Sequence, residues 1–487
     1  LDAEVLSRAV PARDVSPGVG RRRLGTVHLD RLGLRLTPFP GIHVLEQSEN
    51  ERILSDHLAS LGRPVAWGHA FRSLHERPDG TVSVTLDTPE GPVTVTARYV
   101  IAADGASSPV RRAVGTEFEG TTSPFEFYVL DALGVEGVGE GIEVRFSAEH
   151  FMLCFPMGHD ERGRRSRLLG VLRAPERADG DTNGDKSGAE GDGAERDGIE
   201  RRARADLAAR FGISYAGTAW ASRYRVHHRV AAAFRAGAVF LAGDAAHIHS
   251  PVGAQGMNTG LQDAQDLVCT LADVLAGRAG DETLDRYEAE RRPVAMNLVR
   301  TTDRVFAAVT SLGPLARVLR SVVAPAVLPV VLRLVPRSSA GGRLYGYVSQ
   351  IRIHYWMGPG RTRPVGRRRG RVRGRRLPWV PDAGHAGSLP GGDGRGDNHE
   401  ALNVPTWQVH AYGPAAVGTA GGLAERHRDK AAGEPRLPVY TFRAAPDQGL
   451  PDGTAVLVRP DGFVAEVEIA VTGRAGLSPA RQLEVRR

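Results

Sequence analysis

Leu241-Ala-Gly-Asp-Ala-Ala-His-Ile-His-Ser-Pro-Val-Gly-Ala-Gln-Gly-Met-Asn-Thr-Gly-Leu-Gln-Asp263 places one acidic residue, a proline turn and a glycine-rich helix start in fixed order. The run leading into it, Ala238-Val-Phe-Leu-Ala242, is small, apolar and uncharged, the pattern of a buried parallel strand. After Asp244 the chain turns through Ser250-Pro251 and the glycines Gly253 and Gly256. From Met257 the spacing predicts a helix with Leu261, Ala264, Leu267, Val268, Leu271, Val274 and Leu275 along one apolar face. A strand that delivers a carboxylate to the first turn of such a helix is built to hold a polar ligand. The carboxylate accepts bonds from hydroxyls, and the free amides of the helix start attract negative charge.

A second stretch has the same grammar. Thr81-Val-Ser-Val-Thr-Leu86 and Val93-Thr-Val-Thr96 alternate as strands and are joined by a turn, an antiparallel hairpin. Arg98-Tyr-Val-Ile-Ala-Ala-Asp-Gly-Ala-Ser-Ser-Pro-Val-Arg-Arg112 follows: another buried strand, an acid, a glycine, two hydroxyl residues and a helix start. Upstream, Leu45-Glu-Gln-Ser-Glu-Asn-Glu-Arg-Ile-Leu-Ser-Asp-His-Leu58 reads as an amphipathic helix.

Taken in this order, the three stretches resemble the FAD-dependent aromatic hydroxylases, single-component flavoprotein monooxygenases of the para-hydroxybenzoate, phenol and aromatic polyketide hydroxylase type. The resemblance implies that Gly243 and Asp244 bind the ribityl chain of FAD and that Pro251 lies beside the isoalloxazine. It also implies that Gly256, Met257 and Asn258 offer backbone amides to the flavin pyrimidine edge. Reduced flavin is anionic at that edge, which suits the partial positive charge of a helix N-terminus. Asp104 and Gly105 match the family's second signature, which contacts FAD along the NAD(P)H route. Gln47, with Glu51 and Leu54, matches a helix whose glutamine touches the flavin.

The family's first element, a Gly-x-Gly-x-x-Gly loop between strand and helix that cradles the FAD pyrophosphate, has no counterpart in these 487 residues. Gly18-Val-Gly20 has no strand before it and no apolar helix behind it. The chain starts at Leu1 and reads as a fragment that begins in the middle of the FAD-binding domain.

Length and composition agree with a globular enzyme of two or three domains: 41% hydrophobic and 24% charged residues are ordinary values. The net charge of +7 suggests a polyanion, but only Lys186 and Lys430 are lysines among 63 basic residues. That arginine bias, with abundant Ala, Gly and Pro, reflects coding composition, so no nucleic-acid partner is expected. Cys154 and Cys269 stand apart from any metal or redox spacing, and neither a signal peptide nor a spanning segment is visible. The longest uncharged apolar run, Ser321 to Leu332, contains two prolines and is too short to cross a bilayer. A cytoplasmic protein with no membrane partner is expected.

The reading of the fold is α/β (α+β). An incomplete Rossmann-like FAD-binding domain carries an inserted antiparallel substrate-binding sheet and is followed by a C-terminal thioredoxin-like domain. Residues 1–120 form the first FAD-binding part and 121–230 the sheet, with a disordered, nearly apolar-free loop over 176–200. Residues 231–357 form the second FAD-binding part with following helices, 358–398 an Arg/Gly/Pro-rich linker, and 399–487 the last domain. Strands are expected at Phe125–Leu130, Ile142–Phe146, Phe151–Phe155 and Ser166–Leu172, and Tyr224 to Ala231 resembles a run in phenol and polyketide hydroxylase relatives. Arg286 to Ala295 resembles the Tyr-x-x-Glu-Arg-x-Pro helix that closes the FAD domain, a structural role. In the C-terminal domain a Pro-Asp-Gly turn between apolar strands signals a hairpin, and the absence of Cys-x-x-Cys excludes thiol redox work. That domain is expected to pack or to mediate subunit contact in a homodimer. His227, His228, His247 and His249 lack the companions of a metal site, so no metal is expected. Packing is the plain reading of these histidines, with His247 a candidate for acid–base chemistry on a phenolic substrate.

What the resemblance implies is hydroxylation of an aromatic ring, phenolic or polycyclic polyketide. NAD(P)H reduces FAD, O₂ adds to give a flavin C4a-hydroperoxide, and the protein excludes water and orients the ring. Two alternatives stay open: a Baeyer–Villiger or epoxidising monooxygenase on the same scaffold, and a truncated homologue unable to hold FAD.

Overall fold

A computed structural model describes residues 1–147, 150–172, 193–250, 255–310, 313, 318, 322–334, 339–355, 372–384, 396–431 and 433–470. The chain divides into two compact units, residues 1–264 with 294–349, and residues 265–293 with 350–487.

The first unit is organised around sheets that end at one another's turns. Val100–Ala102 and Val239–Leu241 pair in parallel, with Leu241 opposite Ala102, and Arg235–Ala236 adds an antiparallel edge. Val239, Phe240 and Leu241 are all buried, as an uncharged parallel strand requires. The expected hairpin forms from Val82–Thr88 and Gly91–Ala97, and Ala70–Glu76 extends it to three strands.

The largest sheet has nine strands. From one edge they run His247–Ile248, Gly217–Ala231, Phe118–Leu133, Gly163–Leu172, Phe151–Asp160, Ile142–Phe146, Asp14–Val19 and Arg22–Arg23, with Val27–His28 also paired to Asp14–Val19. All four strands expected from sequence lie in it, as does the Tyr224 to Ala231 run. One pairing departs from the antiparallel expectation. Asp14–Val19 runs parallel to Ile142–Phe146, so residues grouped by position with the FAD-binding part contribute to this sheet.

Period-two alternation gives the sheet two different faces. Tyr128, Leu130, Met152, Cys154 and Leu168 point to one side and pack on Ile199, Ala203, Leu207 and Phe211. Those partners belong to the helix Gly193–Asp206 and its continuation Leu207–Phe211. This corrects the disordered loop expected over 176–200: residues 193–200 are helical, because Ile199, Ala203 and Leu207 recur at helical spacing and find an apolar face to cover. Residues 173–192 lie outside the described residues. The other side of the sheet carries Phe127, Phe151, Leu153, Leu169, Val171 and Val226, with Phe125, Phe146, Phe155 and Tyr224 against them.

In the second unit, four strands run in the order Val439–Phe442, Gln408–Tyr412, Thr454–Val458, Val464–Ile469. The first pair is parallel, the others antiparallel, and the helix Val417–Arg426 lies between the parallel strands in sequence. This is the strand order and sense of a thioredoxin-like sheet. The helix packs Ala420, Leu423 and Ala424 on Val409, Ala411, Ala455 and Leu457. The opposite face holds Tyr412, Val456, Val458 and Phe442.

The Arg459-Pro-Asp-Gly turn joins the last two strands as expected, but Arg459 has a larger role than a hairpin residue. Its guanidinium, 1% exposed, forks onto both Glu290 oxygens at 2.9 Å and reaches Asp266 at 2.8 Å and Asp461. Asp266, Glu290 and Asp461 form the one acidic group among the described residues close enough to share a cation, and Arg459 sits among them. Burial raises the Asp266 carboxyl far above its ordinary range, with Glu290 adding repulsion. Burial alone would raise the Asp461 carboxyl as well, but Arg459, Arg286 and its hydrogen bonds together lower it. Of the linker expected over 358–398, residues 358–371 and 385–395 lie outside the described residues, and the part between them is no linker: Val372, Leu377, Val380 and Ala383 are buried against Tyr412, Phe442 and Val456, because their apolar side chains find that sheet face.

Candidate functional site

The parallel pairing of Val100–Ala102 with Val239–Leu241 decides the site, because it brings the two acidic turns to the same end of adjacent strands. Ala242 N–H donates to the Ala102 carbonyl at 2.9 Å, so Asp104-Gly105 and Gly243-Asp244 leave the sheet side by side. Both glycines have left-handed backbones, φ +83° at Gly105 and +57° at Gly243, which other L residues adopt at a cost. Beside Gly105 a Cβ would meet nothing within 4 Å, so this turn leaves room for a ligand to approach the backbone.

The first turn is tied to the helix Pro109–Ala113. Asp104 Oδ2 accepts Val110 N–H at 3.1 Å, and Ser108 Oγ caps the helix by accepting Arg111 N–H at 2.9 Å. Arg111 then locks the two turns together: its guanidinium donates to the Ala106 carbonyl at 2.7 Å and the Ala245 carbonyl at 2.9 Å. It lies 3.8 Å over the Phe118 ring. The sequence pattern by itself gives Arg111 no role. The available signal was its place after Ser108-Pro109, one turn into a capped helix.

The second turn rests on the helix Gly256–Leu275. Gly243 N–H donates to Asp263 Oδ2 at 3.2 Å, and His247 Nε2 shares that oxygen at 2.7 Å. Asp263 and His247 are almost fully buried. A Cβ on Gly260 would come within 3.2 Å of Gly243 Cα, so turn and helix touch backbone to backbone. Asp263 and Gly260 are the other residues that sequence reading left without a part.

Asp244 keeps an exposed face, yet lost hydration on its protein side raises its carboxyl pKa, with His247 opposing. His247 stacks on Phe234 at 6.0 Å. With its Nε2 committed to Asp263, its setting is that of a packed, hydrogen-bonded residue. His249 donates through Nδ1 to the Ser250 carbonyl at 2.7 Å, and burial lowers its pKa. Its Nε2 is buried, has no hydrogen-bond partner among the described residues, and faces the start of the helix at Gly256.

Met257 and Asn258, in the first helical turn, are exposed. The helix Gln47–Ser60 approaches them, with Asn50 Nδ2 donating to Met257 Sδ at 3.7 Å. Gln47 lies one turn before Asn50, exposed, its amide toward Glu51 at 3.3 Å. Pro251 lies outside the described residues. Asp104, Gly105, Gly243 and Asp244 thus converge at one strand end, while Gly256, Met257, Asn258 and Gln47 belong to two helices that meet at Met257.

These donors and spaces fit a flavin. Two left-handed glycines let a ligand approach the backbone, a carboxylate with an exposed face suits hydroxyls, and a 20-residue helix starts beside a buried imidazole nitrogen that has no hydrogen-bond partner among the described residues.

Comparison with known proteins agrees. Residues 4–302 match the family model described as FAD binding domain. Over 460 residues the chain is 31% identical to the 12-dehydrotetracycline 5-monooxygenase/anhydrotetracycline 6-monooxygenase of Streptomyces rimosus subsp. rimosus, covering 91% of this chain and 80% of that one. The solved structure of an anhydrotetracycline hydroxylase from Streptomyces rimosus superposes with a TM-score of 0.69 at 26% identity, covering 99% of this chain and 86% of that one. An aromatic hydroxylase from angucycline biosynthesis gives 0.67 at 26% identity over 98% and 86% of the two chains. The chain belongs to the FAD-binding-domain family and is a flavoprotein monooxygenase of the aromatic hydroxylase type, with FAD as its cofactor.

Proposed function

We propose that the protein hydroxylates an oxygenated polycyclic aromatic, a polyketide rather than a simple phenol, at the expense of NAD(P)H and O₂. The observation that carries the reading is the side-by-side emergence of Asp104-Gly105 and Gly243-Asp244 from paired parallel strands, beside the start of the helix Gly256–Leu275. In this proposal Gly243 and Asp244 hold the ribityl chain. Asp104 and Gly105 line the approach of FAD and NAD(P)H, and Gln47 and Pro251 flank the flavin. The first-turn amides of Gly256, Met257 and Asn258 face the pyrimidine edge, where their partial positive charge stabilises reduced flavin. Bound FAD supplies the oxygen-activating chemistry; the chain's own residues bind it, orient the ring and keep water out.

The choice of a polycyclic substrate rests on two supports. One is the aromatic face of the large sheet, where Phe127 stands 6.0 Å from Phe151 and 5.7 Å from Tyr224. A broad apolar wall of rings suits a multi-ring ligand. The other is that one relative is named for tetracycline intermediates and a similar solved structure is an aromatic hydroxylase from angucycline biosynthesis. The domain limits 1–120, 121–230, 231–357, 358–398 and 399–487, a homodimer and a cytoplasmic location belong to the same proposal. Among the described residues, no helix is long and apolar enough to cross a membrane.

The test is product analysis. The purified protein, FAD, NADH or NADPH, and either a tetracyclic phenolic polyketide or a simple phenol are incubated in air. Gain of one oxygen with the ring skeleton kept, together with reductant consumption that depends on the polycyclic compound, is the expected result. An oxygen inserted into a ring would replace hydroxylation by Baeyer–Villiger chemistry. Faster turnover of the simple phenol would overturn the substrate class.

A further inference from the structure

We propose that Asp263 is a positioning residue for the flavin, holding the Gly243-Asp244 turn at a fixed distance from the start of the helix Gly256–Leu275. The inference rests on the reading that Gly243-Asp244 and the first helical turn contact the cofactor.

Three observations converge on this carboxylate. Its Oδ2 accepts two hydrogen bonds, from Gly243 N–H at 3.2 Å and from His247 Nε2 at 2.7 Å. Those donors stand immediately before and three residues after Asp244, so both flanks of the acidic residue are tied to one oxygen. Asp263 is 0% exposed, so neither bond can be replaced by water without opening the unit. Finally, Gly256, Gly260 and Asp263 recur at i, i+4 and i+7, one stripe of the helix. Gly260 brings the helix backbone against Gly243, His249 Nε2 faces Gly256, and Asp263 pins the turn. The same stripe therefore presents the helix start and holds the ribityl turn, so the two flavin contacts are rigidly spaced. His247 is drawn into this role by burial: it orients and is oriented by Asp263, away from substrate chemistry.

A hydrogen-bond positioning role has a signature that general stability lacks. Asp263→Asn can set its amide oxygen where Oδ2 lies, accepting from Gly243 N–H and from His247 Nε2–H alike, so both ties survive. Asp263→Ala removes both. Two readouts are compared across wild type, Asp263→Asn, Asp263→Ala and Asp244→Ala. One is FAD affinity by fluorescence titration; the other is hydrogen exchange of the peptide covering 243–247 without flavin. Loss of a buried hydrogen bond to a charged group weakens binding about tenfold. Asp263→Ala is expected to show that loss together with fast exchange over 243–247, and Asp263→Asn is expected to restore both. If Asp263→Ala keeps wild-type affinity and protection while Asp244→Ala loses FAD, the positioning role is wrong and the cofactor site stands. An Asn variant as weak as the Ala variant also overturns it. Equal FAD binding by wild type and Asp244→Ala would sink the underlying assignment of the turn, and this inference with it.

Discussion

Arg111 offers the most direct test of how the two acidic turns are kept together. Its side chain is 5% exposed, donates to the Ala106 and Ala245 carbonyls at 2.7 and 2.9 Å, and lies 3.8 Å over Phe118. Two hydrogen bonds from a charged donor contribute about 1.5–3 kcal/mol each, and a desolvated cation–π contact about 2 kcal/mol. Burial of the guanidinium opposes them, as the lowered pKa of Arg111 indicates, with desolvation the leading cause. The remainder puts Arg111→Ala at about 3–5 kcal/mol of destabilisation, in the range for breaking a buried charged network. Arg111→Lys should cost about 2 kcal/mol, because a point ammonium cannot fork to two carbonyls or lie flat on a ring. Urea unfolding of the flavin-free protein measures the loss, and hydrogen exchange locates it at residues 104–111 and 243–247. An Ala variant within about 1 kcal/mol of wild type, or exchange that rises elsewhere, would falsify the view that this side chain joins the turns.

Other outcomes follow from single residues. Asp266→Asn should cost less in thermal unfolding than Asp461→Asn, since burial and Glu290 raise the Asp266 carboxyl while Arg459 and Arg286 help lower that of Asp461, whose replacement should cost about 3 kcal/mol by stripping Arg459 of a charged partner; an equal or larger loss at Asp266 would count against it. Gly260→Ala should weaken FAD binding with little loss of helix, because its methyl would press within 3.2 Å of Gly243 Cα; unchanged affinity would refute the close approach. Tyr224 Oη is buried on the aromatic face without a hydrogen-bond partner among the described residues, so Tyr224→Phe should leave the flavin-free protein as stable or slightly more so. If that hydroxyl meets the substrate, the same variant raises KM and leaves the FAD spectrum alone. Burial lowers the pKa of His354 from 6.5 to about 4, with Arg375 and Arg352 adding repulsion, and burial lowers those of His228 and His249 too. A folded-state pKa below the unfolded one means that these residues contribute their full stability above pH 6.5 and lose it as pH falls; for His354 the window runs from 6.5 to about 4. His354→Gln should flatten the fall in melting temperature across that window, and an unchanged slope would count against the assignment.

How much of this was legible in the sequence depends on whether a signal was local. Strands and turns with their own chemistry were: the uncharged Val239–Leu241 strand, the hairpin at 82–97 and the Pro-Asp-Gly turn sit where their residues put them. The four strands of the large sheet were visible because apolar residues alternate. What alternation could not show was partnership. Nothing in Asp14-Val-Ser-Pro-Gly-Val19 announces a parallel neighbour at Ile142–Phe146, because pairing over that distance is settled by tertiary packing. The polar composition around residue 190 likewise hid the helix Gly193–Asp206, whose few apolar residues suffice only because a sheet face waits for them. Within the site, the acids and glycines were readable as turn chemistry, while Arg111 was not: its value lies in two carbonyls 5 and 134 residues away in sequence.

The helix Gly256–Leu275 shows the limit most clearly, since its periodicity was read correctly as helical and incorrectly as to its buried face. Leu267, Leu271 and Val274 are buried as expected, but Leu261, Val268 and Leu275 are each more than 40% exposed. In their place the helix buries Thr259, Asp263, Asp266, Thr270 and Asp273. A carboxylate is removed from water only where something specific replaces its hydration. Each of the three has its replacement: Gly243 N–H and His247 for Asp263, Arg459 for Asp266, and Trp407 Nε1 at 2.7 Å with Arg278 at 3.0 Å for Asp273. Hydropathy counts such residues as surface because it has no knowledge of partners. Directed hydrogen bonds of this kind fix a helix's position and rotation together. Apolar packing alone tolerates sliding and re-packing. In the proposed cofactor site the helix start cannot slide by a fraction of a turn without losing its amides, and the buried Asp263, tied to Gly243 N–H, is what holds it there.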